Sequence, residues 1–242
     1  MTPFLPEETE IEGAADATRV ARRALILAAV VCRASIDRSA GESGVGALHD
    51  RVLEWLTRLG LWADMEPFET ELLRAPLGTL KDQEVVRATW YVEGLVILAW
   101  ALQECEFPFH DLKVDPYAVT DSVWFLSEDA DAFLQNATLQ GGAKLAACRE
   151  LLYAVHVRLR DWLRHRKPKD FTGWIESNWL DELGVDAAPL VAGGDLAIDS
   201  LPISTAESDR VQECSSILFE RQRAILWLLG DYPSYSQTPV DT

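Results

Sequence analysis

Short catalytic and nucleotide-binding signatures are missing from this chain: it has no GxGxxG, no GxxxxGK[ST] and no GxSxG. Phosphate cradles and nucleophile elbows are therefore unsupported. Histidine is scarce and scattered. His49, His110, His156 and His165 form no HExxH, and the acidic run Glu128, Asp129, Asp131 lacks the glycine and spacing of a calcium loop, so neither a metal nor another cofactor is expected. The four cysteines, Cys32, Cys105, Cys148 and Cys214, make no CxxC and read as small core residues in a reducing cytoplasm. Basic residues are also in deficit. Lys and Arg number 22 against 39 Asp and Glu, a formal charge of -17 that repels nucleic acid and anionic lipid. Hydrophobic runs stay short: Ala24 to Cys32 falls well under the ~20 residues that span a bilayer, and the acidic stretch before it does not resemble a signal peptide.

What the chain has is helix. With 48% apolar residues it can bury a full core. The spacing predicts an all-α, single multi-helix domain, with a loop-rich insertion between the last two long helices. Residues 1–15 read as a tail and 16–242 as the helical domain. Helices are expected over 16–38, from Leu48 to Leu59 with Gly60 ending the pattern, and over 66–74. Thr79 and Asp82 resemble a capping box for a Trp-rich helix whose second half, GLVILAWAL, is apolar all round and belongs in the middle of a fold. Asp115 and Pro116 open a helix predicted through Trp124 and Leu126, and Glu128 to Asn136 adds a short turn. A long amphipathic helix follows over 142–166, its basic end explained by the helix dipole. Residues 167–209 are the insertion, with a short helix expected over 174–183 and a small hairpin over 190–198. A final helix covers 211–230.

Two of these helices carry a charge on their apolar seam. Val86, Trp90, Glu93, Ile97 and Trp100 share one stripe, and Cys214, Leu218, Arg221, Ile225 and Leu228 share another. An unpaired buried charge costs several kcal/mol or more, so the two helices are expected to pack with Glu93 and Arg221 facing each other or other polar groups.

The blocks TWYVEGLVILAWAL, LLYAVHVRLRDW and FERQRAILWLLG, with a closing VDT, resemble the bacterial family called domain of unknown function 4272. Trp90, Glu93, Trp100, Tyr153, His156, Glu220, Arg221, Ala224, Trp227, Asp241 and Thr242 fall on its pattern. Gln222 stands where the pattern has His, and Leu226 where it has Asn. The resemblance, taken to run from Arg22 to Thr242 outside the insertion, implies a mostly helical fold and no catalytic residues.

Two functional readings follow. The first is a cytoplasmic, non-enzymatic interaction factor of immunity or accessory type whose acidic surface meets another protein, a basic one, with Trp174 and Trp179 of the insertion either pinning it to the body or contacting the partner. The second is an enzyme or a binder of a small anionic ligand, using Glu93, Tyr153, His156, Arg160, Glu220 and Arg221 between helices; the structural alternative is a satisfied network that fixes helix register. Oligomeric state is not readable from the sequence.

Overall fold

The computed structural model describes residues 16–230, 232 and 234–240, so the tail assigned to 1–15 and the closing Asp241 and Thr242 lie outside the described residues. The chain is mostly helical, as the spacing implies. Nine α-helices occur among the described residues: α1 (Ala17–Asp37), α2 (Val45–Arg58), α3 (Pro67–Arg74), α4 (Asp82–Ala101), α5 (Pro116–Ser122), α6 (Ala130–Asn136), α7 (Gly142–His165), α8 (Ser177–Leu183) and α9 (Ser208–Leu228). A small antiparallel sheet, β1 (Val191–Ala192), β2 (Asp195–Ile198) and β3 (Leu201–Pro202), closes the insertion, with Gly193 and Gly194 at positive φ in the hairpin turn.

Local chemistry sets the boundaries. Asp16 caps α1 by accepting the Arg19 amide at 2.8 Å. Pro67 starts α3, where the Glu69 carboxylate accepts the Glu66 amide. The α4 cap differs from expectation: Glu84 accepts the Lys81 amide at 2.8 Å, while the Thr79 hydroxyl donates to Pro76 O. Helix α5 also stops early. Trp124 and Leu126 take positive φ values of 60° and 59°, which a continuing helix cannot accommodate.

Helix α4 lies between α1 and α9; α9 also packs on α7, and α7 on α8. Every residue from Tyr91 to Leu102 is buried, so the all-round apolar half of α4 is the centre of the core, as its pattern predicts. The first turns are another matter. Val86 is 51% exposed and Trp90 half-buried, so the α4 stripe drawn through them turns outward at its start; Val85 and Ala88 face inward instead. Gly94 marks the tightest approach, since an added Cβ would run into the Tyr235 hydroxyl and touch Glu220 O.

Candidate functional site

Glu93 and Arg221 meet. Helices α4 and α9 bring the guanidinium onto the carboxylate, with Nε and Nη2 donating to Glu93 Oε2 at 3.0 and 2.7 Å, and both residues are buried. The pair does more than join two helices. Arg221 Nη1 donates to Phe109 O at 2.5 Å and Nη2 to Leu112 O at 2.8 Å, while Glu93 Oε1 accepts the Val114 amide at 3.1 Å. Charged and backbone groups together satisfy the pair, which is the condition for burying it without a large penalty. The connection between α4 and α5 is thus moored from beneath.

The same segment is fastened at its other residues. Arg210 donates to Asp111 O at 3.0 Å, Asp111 Oδ2 accepts the Asp199 amide at 2.8 Å, and His110 Nε2 bonds Ala197 O at 2.7 Å. Because a carbonyl only accepts, the His110 proton sits on Nε2 and Nδ1 is left with its lone pair. Burial lowers the His110 pKa and keeps the ring neutral.

The remaining members of the proposed constellation go elsewhere. His156 is buried, and its Nδ1 bonds the Gln222 amide oxygen rather than a carboxylate. Burial again lowers its pKa. Glu220 pairs with Arg223 one turn along α9, at 2.8 and 3.0 Å, and burial pushes its pKa up to about 7. Tyr153 is 46% exposed, and Arg160 is half-buried on α7. The structure therefore brings Glu93 to Arg221 and His156 to Gln222, and makes no single pocket of the six. Trp174 and Trp179 are half-buried against the core, Trp174 beside Phe171 with ring centroids 5.8 Å apart.

A cleft of about 540 Å³ is walled in part by the moored connection. Cys105 to His110 form one wall, Trp100, Leu151, Leu152 and Val155 of α4 and α7 the floor, and Leu183 to Asp186 with Pro189 and Leu190 of the insertion the other wall. None of the six expected site residues lines it. Sequence periodicity could not find this cleft, because its walls come from two irregular connections whose approach is set by tertiary bonds. Among the described residues, no group of His, Cys, Asp and Glu is placed to hold a metal ion, and no helix is long and apolar enough to cross a membrane.

The chain matches the family described as Domain of unknown function (DUF4272) over residues 1–171. This protein belongs to that family. The match includes α1 to α7 and ends as the insertion begins, so the resemblance read in α9 lies beyond it. No curated protein and no solved structure matches the chain.

Proposed function

We propose that this DUF4272 member is a bacterial cytoplasmic protein that works by binding another protein, of basic character, as an immunity or accessory factor and without turning over a substrate. The disposition of charge is the observation that carries the reading. Arg23, Arg33, Arg158 and Arg221 are buried against Glu69, Asp37, Asp195 and Glu93, so these charges cancel in pairs inside the fold. The formal charge of -17 is left to the remaining residues. Such an imbalance draws in a positively charged partner and speeds its encounter. Against catalysis stands the chemistry of His156: a general base must reach a substrate proton, and this imidazole is buried on an amide.

Salt dependence tests the proposal. Tagged full-length chain recovered from its native host at low ionic strength is expected to bring down a partner of high isoelectric point, and about 1 M salt, where screening reaches ~3 Å, is expected to release it. Recovery of the chain alone at every ionic strength would count against a basic partner.

A further inference from the structure

The cleft has a chemical bias independent of the overall charge. Its walls are apolar and aromatic, with Trp100 and Phe107 in edge-to-face contact at 5.2 Å between centroids. Its polar side chains accept hydrogen bonds and offer few. Glu106 and Asp186 contribute carboxylates from two separate segments, and neither Lys nor Arg lines the space. One N–H of the Gln140 amide is engaged by Trp100 O at 3.3 Å, and its oxygen is left to accept. His110, only 5% exposed, also lines the cleft, and with its proton held on Nε2 by Ala197 O its Nδ1 is an acceptor without a hydrogen-bond donor. The charges that act on this ring are the Asp111 carboxylate, 3.9 Å from Nδ1 and unable to donate, and the Arg221 guanidinium, whose Nη and Nε donors go to Glu93, Phe109 O and Leu112 O.

We propose that this cleft is a binding site for a small organic cation, an amine carried on a flat apolar body. The ammonium supplies the donors that Glu106, Asp186 and His110 Nδ1 lack, and the body lies against Trp100 and Phe107, whose rings favour a nearby positive charge. The volume of about 540 Å³ fits a small molecule, within the usual ~300–1,000 Å³ of such sites. A folded partner needs a much broader surface, roughly 800 Å² on each side. The amine site and the basic-partner reading therefore stand or fall separately.

The mooring of the wall gives Glu93 and Arg221 a positioning role here. They touch the backbone of the connection and not the ligand space.

Isothermal titration of the purified full chain with tryptamine, indole and indolepropionate tests the proposal. Tryptamine is expected to bind, and the acid of the same ring to bind at least about tenfold more weakly, since two carboxylates at the rim attract the ammonium and repel another carboxylate. Glu106→Gln with Asp186→Asn, both at exposed positions and so without a folding cost, is expected to remove most of the preference for the amine. Glu42→Gln with Asp50→Asn, two exposed carboxylates outside the cleft, is expected to leave it unchanged. Absence of tryptamine binding, equal binding of amine and acid, or the same loss in the outlying pair would overturn the assignment.

Discussion

Glu220 shows how burial alone can make one carboxyl group respond near neutrality. Desolvation raises its pKa from 4.5 to about 7, against the lowering effect of Arg223 and Arg87. Between those values the folded chain binds a proton that the unfolded chain has released, so stability falls as pH rises through the window and the loss is complete above it. The shift corresponds to roughly 3 kcal/mol. His110 and His156 act in the opposite sense: their pKa values are lowered by burial, so they withdraw stability as pH drops below 6.5. Subtracting a Glu220→Gln profile isolates the first effect. Denaturant titrations across the window are expected to give a wild-type minus variant difference that declines toward pH 7, and a flat difference would show that Glu220 is not held in an apolar setting.

Between elements, one arrangement recurs: a buried arginine on a long helix gathers the carbonyls of a connection and pairs with an acid. Arg33 of α1 donates to Asp37 and to Ala75 O and Pro76 O, and Asp37 accepts the Gly78 amide, which fixes the turn before α4. Arg23 holds Glu69 and Asp64 O. Arg158 of α7 grips Asp195 through two bonds of 2.7 and 2.6 Å and takes Lys167 O at 3.1 Å, while Asp195 accepts the Lys169 and Leu196 amides. The insertion is therefore tied to α7 at both ends of its sheet approach. Replacing Arg158 with Ala leaves Asp195 charged and unpaired, at a cost of about 3 to 5 kcal/mol. Amide exchange is expected to accelerate across 167–202 while α1 and α4 keep their protection; an unchanged insertion would contradict the tether.

The legibility of these devices follows from where their partners lie. Glu93 and Arg221 were readable because each interrupts an apolar stripe of known period, and a charge there demands an opposite charge. Arg158 was not. It sits among Arg160, Arg164 and Arg166, where cations at a helix end have an ordinary solvent-facing explanation, and its partner Asp195 comes from a short strand with no periodic signal. The all-α class and the central place of α4 were likewise visible in the pattern. The outward turn of Val86 and Trp90, the early end of α5 at Trp124, and the cleft itself depend on contacts between distant segments, which local spacing does not encode.

At the scale of the whole molecule, an α1, α4, α9 core is dressed by connections that arginines hold in place, and the cleft is a product of that dressing. The claim on which the rest depends is that Glu93 and Arg221 shape the α4–α5 connection as well as joining two helices. Replacing both by apolar residues, Glu93→Leu with Arg221→Met, removes the charges together and leaves a packable core, so the chain is expected to stay folded. Residue-resolved hydrogen exchange on this double variant is the most direct measurement. The account predicts that the Val114 amide, which loses its charged acceptor, exchanges roughly tenfold faster or more, with the rest of the 104–115 connection loosening beside it and α1 and α7 unaffected. Wild-type protection throughout that connection would mean that it is held by something else, and that the ion pair does not build the cleft wall.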